Sequence, residues 1–167
     1  MPTMKKFYLL GFILFSSFIS FAQNYSTSLG VRLGSGSNGD RNYAISSAIS
    51  LKHFFNEKAA AKLLFGPSYY YDILTIGAIF ELHHPIPKNE NLTWFYGGGA
   101  YISFNDLKSH SYGNLFGAMG IIGLDYKFKN LPINLELECK PELNIVDAIN
   151  FELFNFGFSM RYAFGSR

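Results

Sequence analysis

Cysteine is almost missing from this chain. Cys139 is the only one in 167 residues, so no disulfide can close within it. Leu135 and Leu137 share its parity in the sequence, which reads as a small apolar packing position and not as a reactive thiol. Charge is sparse as well, at 16% of residues, and favours neither sign. Fourteen basic residues become 12 once Lys5 and Lys6 leave with the leader described below, against 12 acidic ones. A chain this close to neutrality has no electrostatic footprint for nucleic acid, and none is expected as a partner.

Familiar chemistry is missing too. His83 and His84 are adjacent, so in a strand they face opposite sides, while His53 and His110 stand alone in sequence; no spacing announces a metal site. Residues 35–40, SGSNGD, are Gly-rich but lack the Lys and the following helix of a phosphate loop. No metal, cofactor or catalytic residue is nominated. After the N-terminus there is no apolar run of the roughly 18 residues that would suggest a spanning helix.

What is present begins with a leader. Lys5 and Lys6 precede an uncharged, mostly apolar stretch over 7–21, and Ser20 and Ala22 are the small residues expected before a cut. This is the pattern of a secretory signal peptide over 1–22, with a mature domain over 23–167. The apolar stretch is shorter than the roughly 20 residues of a membrane anchor.

The mature chain is rich in aromatics, 18% of the whole sequence, and in Gly, and it alternates. The clearest stretch is INLELECKPE at 133–142. Ile133, Leu135, Leu137, Cys139 and Pro141 fall on one parity; Asn134, Glu136, Glu138, Lys140 and Glu142 fall on the other. Successive side chains of a strand point to opposite faces, so this segment has one apolar and one charged face. The same rhythm predicts eight strands, over 27–34, 43–54, 59–70, 74–84, 92–104, 114–128, 133–142 and 152–164. Pro67 removes a ladder donor and predicts a bulge or local irregularity. Residues 85–91 are expected to form a polar turn and 144–151 the last loop. In the sixth strand Leu115, Met119 and Ile121 interrupt the polar face.

Eight strands of this length close into a small membrane barrel whose interior is filled by side chains. Its apolar parity then meets lipid and its polar parity lines the inside. The polar parities collect Arg32, Lys52, Lys62, Glu81, Asp125, Lys127, Glu136, Glu138, Lys140 and Arg161, a set balanced enough for mutual pairing. Aromatics at strand ends (Tyr69 to Tyr71 at one, Trp94 to Tyr96, Tyr126, Tyr162 and Phe164 at the other) read as two interfacial girdles. With both termini on the periplasmic side, the connections at 56–58 and 129–132 are the short turns. A short connection at 71–73 and a long one at 85–91 run against that orientation.

The leader ending in FAQ, the block GLDYKFKNLPINLELECKPELN and the terminal FGFSMRYAF resemble the small outer-membrane β-barrel proteins of Gram-negative bacteria, of OmpA/OmpX-like architecture. The resemblance implies an all-β, eight-stranded antiparallel transmembrane barrel in the outer membrane, with outer-membrane lipid around it. It also implies the barrel-assembly machinery as a partner during insertion, although Gly165, Ser166 and Arg167 follow the terminal Phe164. The relatives are mostly of unassigned function. The expected role is structural or one of surface interaction, with a filled interior, and the protein is not expected to be an enzyme. One alternative is an outer-leaflet lipid-modifying enzyme built on Asp106, His110 and Ser111, which also suit a solvated loop. The other is a soluble lipocalin-like carrier, which requires apolar residues inside and polar ones outside.

Overall fold

The computed structural model describes residues 25–37, 43–68, 73–104, 115–145, 150–152 and 155–166. The leader, the tyrosines at 69–71 and the trio Asp106, His110 and Ser111 lie outside the described residues. Ten strand segments are present: β1 (Tyr25–Ser37), β2 (Tyr43–Phe54), β3 (Ala59–Ser68), β4 (Ile73–Ile86), β5 (Asn89–Phe104), β6 (Leu115–Lys127), β7 (Ile133–Cys139), β8 (Glu142–Asn144), β9 (Asn150–Glu152) and β10 (Phe156–Ser166). Each of β1 to β5 pairs antiparallel with the next, β5 pairs with β6, β6 with β7, β7 with β10, and β10 returns to β1. The ring of eight is therefore closed. Closure removes the edge strands that an open sheet would expose, which is the condition for crossing a bilayer with strands.

The two short segments extend this ring. β8 continues β7 in the same register against β6, from Ile122↔Cys139 to Gly117↔Asn144. Pro141 causes the break between them: its carbonyl accepts from Gly120 N–H at 2.9 Å, but it has no N–H to return. β9 likewise precedes β10, with a change of register. From Cys139↔Phe156 to Glu142↔Glu152, three steps on one side oppose four on the other. Hence the seventh strand expected over 133–142 is interrupted and reaches Asn144. The last loop shrinks within 144–151, and the long alternating run starts at Phe156, not at 152.

Proline placement explains two further differences. Pro67 produces no bulge: β3 pairs with β4 straight through Pro67↔Leu74. Its irregularity is that the ladder to β2 stops at Ile49↔Phe65, two residues earlier. The register shift falls instead at Pro85/Ile86. Beyond it Ile86 still pairs with Asn89, so the expected long turn over 85–91 is a two-residue turn. Pro87 fixes a negative φ and Lys88 follows with φ 72°, the sign pattern of a type II turn. The turns at 55–58, 87–88 and 128–132 now all lie at the end of the barrel that holds both termini, so the long turn no longer opposes the expected orientation.

The burial pattern alternates strand by strand. Leu29, Val31 and Leu33 are exposed while Ser28 and Arg32 are buried; Phe156, Phe158, Met160, Tyr162 and Phe164 are exposed while Ser159 and Arg161 are buried. The apolar parity is outside and the polar parity is inside, the inverse of a lipocalin-like carrier. Trp94, Tyr96, Tyr162 and Phe164 stand on the outer wall at the turn end, the place of an aromatic girdle. His84 joins them, stacked on Trp94 at 4.7 Å and on Tyr96 at 5.6 Å between centroids. Phe95, between the two girdle residues, points inward and is fully buried.

Candidate functional site: the barrel interior

A charged side chain inside a barrel has no bulk water to solvate it, so it persists only with partners. The centre of this interior is Glu136 on β7. It bonds Lys62 Nζ at 2.6 Å and also pairs with Lys52 and Arg161. Lys52 bridges Glu81 at 2.8 Å and Asp125 at 3.0 Å. Lys62 bridges Glu81 at 2.8 Å and Glu138 at 2.6 Å. Glu138 in turn accepts from Arg32 Nε at 2.5 Å. Four cations and four anions, contributed by β1, β2, β3, β4, β6, β7 and β10, form one connected and balanced network.

Neutral groups complete it. Arg161 donates to Ser50 Oγ at 2.9 Å and to Asn134 Oδ1 at 3.1 Å, and Asn134 donates to Asp125. Arg32 also donates to Asn155 Oδ1 at 3.0 Å, just before β10. His83 joins Glu81 at 3.1 Å through Nε2 and Thr93 Oγ1 at 3.3 Å through Nδ1.

Of the ten charged residues read from the polar parities, eight therefore meet in this network. Lys140 is buried but stands toward the loop end, paired with Glu142 at 2.5 Å. Lys127 is half-buried near the turn end of β6. His83 and Asn134 were missed as members. Both lie on the polar parity of their strands, beside Glu81 and Glu136, and that parity was the signal available.

A second region of the interior is apolar. Leu64, Ile79, Phe95, Tyr101, Met119 and Ile121 pack together as a buried apolar cluster on the β3–β6 wall. The residues that interrupted the polar face of β6 belong here: Met119 and Ile121 are 5% and 4% exposed. Glycines make the room. A Cβ on Gly123 would lie 2.7 Å from the Phe95 ring, and one on Gly117 would lie 2.5 Å from the Tyr101 ring. Tyr101 keeps its polar end satisfied by donating its hydroxyl to Asn144 on β8.

Phe95 joins the two regions. Lys52 and Lys62 sit over its ring at 4.7 Å and 5.4 Å, and His83 stacks on it at 5.0 Å. The negative face of the ring thus meets the cations, and the same side chain belongs to the apolar cluster.

No protein-family model matches the chain, and comparison with curated proteins gives no match. Solved structures do match it. The N-terminal β-barrel domain of Pseudomonas aeruginosa OprF superposes with a TM-score of 0.62 at 14% identity, over 85% of this chain and 100% of that one. The fold is that of the small outer-membrane β-barrels. Neisserial surface protein A (NspA) shares it, with a TM-score of 0.56 at 13% identity over 83% of this chain and 96% of that one. At such identities the likeness concerns the outer-membrane barrel fold alone. The fold accounts for the inside-out polarity: lipid takes the apolar wall, and the interior must satisfy its own charges. Among the described residues no three His, Cys, Asp or Glu side chains group as metal ligands.

Proposed function

We propose that this protein is an outer-membrane β-barrel with a filled interior that serves a structural or surface-interaction role, and not a wide pore. The observation that carries the reading is the content of the interior: the ion-pair network and the apolar cluster together occupy it, joined through a fully buried Phe95. A water-filled channel needs a polar, hydrated lumen. Here Arg161, Lys52, Lys62, Glu81 and Glu136 are each almost fully withdrawn from solvent. Neisserial surface protein A, which shares the fold, is by name a surface protein, consistent with a role at the cell surface.

Two measurements test this. Membrane fractionation with an unboiled gel is expected to give an outer-membrane band that migrates faster before heating; a soluble protein without a heat shift refutes the location. In planar bilayers at neutral pH the purified protein is expected to stay closed. Nanosiemens conductance refutes the filled interior.

A further inference from the structure

The interior network balances its own charge, but the turn end of the barrel does not. Its described residues carry Lys58, Lys88, Lys127 and Lys129 against Glu57 and Glu90. Lys129 stands 3.9 Å from Glu90, and Lys127 is half-buried. Lys58 and Lys88 are exposed and outside every ion pair of the described residues.

Lys88 occupies a place that lysine ordinarily avoids. Its φ of 72° is the only positive one outside glycine among the described residues, and the third position of a type II turn normally goes to Gly or Asn. A side chain there strains the backbone. Pro87 fixes the turn before it, so the lysine is held at one point of the hairpin joining β4 to β5. Strain of this kind persists where the side chain has a use.

The same hairpin carries a shelf of flat rings on the outer wall. His84 and Trp94 are register partners. His84 stacks on Trp94 at 4.7 Å and 21° and on Tyr96 at 5.6 Å and 5°, and Trp94 lies 5.6 Å from Tyr96 at 26°. Elsewhere at this end rings meet edge-on, as in Tyr126 with Phe128 at 90° and His53 with Phe55 at 75°. Trp94 and Tyr96 remain 40% and 43% exposed. Such rings settle where acyl chains meet headgroups. Lys88 lies beyond them toward water, at the depth of the headgroup phosphate. Lys58 is tied beside the shelf, since its carbonyl accepts from His83 N–H at 2.6 Å.

We propose that the β4–β5 hairpin docks an anionic phospholipid of the periplasmic leaflet: the acyl chain lies along Trp94 and Tyr96, and Lys88, with Lys58, meets a phosphate that no headgroup amine offsets. The turn end is periplasmic in the orientation set by the termini. Charge complementarity selects the occupant, because a ring shelf alone accepts any lipid, whereas unpaired lysines at the membrane surface favour a net negative one. The proposal needs the barrel in a membrane and does not depend on whether its interior conducts.

Trp94 is the only tryptophan of the chain, so its fluorescence reports the lipid beside it. The test reconstitutes the mature protein in phosphatidylcholine vesicles containing a minor, equal fraction of either phosphatidylglycerol or phosphatidylcholine brominated near the carbonyl end of the acyl chain. The brominated phosphatidylglycerol is expected to quench Trp94 more strongly, with an enrichment on the order of fivefold, and added salt should shrink the difference. Lys88→Gly relieves the strained turn while removing the charge, so it should fold, as the unboiled gel shift will show, and lose most of the preference. Lys88→Arg should keep it. Equal quenching by the two lipids, or a preference that survives intact in folded Lys88→Gly, overturns the proposal. So does an absence of quenching by either lipid, which would mean that protein, such as a second copy of the chain, covers the shelf.

Discussion

The two halves of this barrel interior achieve the same filling by opposite chemistry. In the charged part, long side chains from β1, β2, β3, β4, β6, β7 and β10 interlock through ion pairs. On the β3–β6 side, Leu64, Ile79, Met119 and Ile121 pack as they would in the core of a soluble protein. In the charged half each group depends on its partners, because desolvation makes an orphan charge costly. In the apolar half each group depends on volume, because a lost methylene leaves a void. The contrast teaches where a change is catastrophic and where it is tolerable. Removing one charge strands several others, whereas removing one apolar side chain affects only its neighbours.

Mutations at the centre of each half sharpen this contrast. Glu136→Leu leaves Lys52, Lys62 and Arg161 without their shared partner, and urea unfolding in detergent, followed by the loss of the unboiled gel shift, should show a loss of about 3–5 kcal/mol. A smaller loss than that of Met119→Ala would break the comparison. Met119→Ala, a cavity in the apolar half, should cost about 2–3 kcal/mol by the same assay, at the low end of such truncations because flexible neighbours can close on it. Gly123→Ala forces a methyl against the Leu137 carbonyl and the Phe95 ring at the junction of the halves and should cost about 1–3 kcal/mol. Because Phe95 carries both lysines on its face, a double-mutant cycle of Gly123→Ala with Lys52→Met should be non-additive by more than about 0.5 kcal/mol. Outside both halves, Lys129 lies 3.9 Å from Glu90 with both side chains well exposed; Lys129→Ala should change stability by less than about 0.5 kcal/mol.

Much of the wall was legible beforehand. β2 spans the residues its alternation indicated, and β6 differs from its expected bounds by one residue at each end. The departures cluster at prolines and at the change of register before β10. Pro141 breaks a ladder from within a run whose parity stays regular, so alternation alone does not reveal it. The change of register before Phe156 depends on how β7 and β8 align with β10 and β9, and no single-strand pattern encodes that. In the interior, parity separated the charged residues from the lipid-facing ones. It misjudged Met119 and Ile121 as an interruption, since a polar lining was assumed on every strand. They mark instead where the lining turns apolar.

By itself the sequence determined the period-two alternation, the number of long strands and the set of residues sharing each face. These are local properties, because a strand's side chains alternate whatever it pairs with. Only the tertiary structure decided which face is inside and which charge meets which. Lys52 and Asp125 are 73 positions apart, and Arg32 and Glu138 are 106 apart. Such pairs are set by the closure of β1 on β10 and by the stagger of strands around the ring, quantities that belong to the closed barrel and to none of its strands.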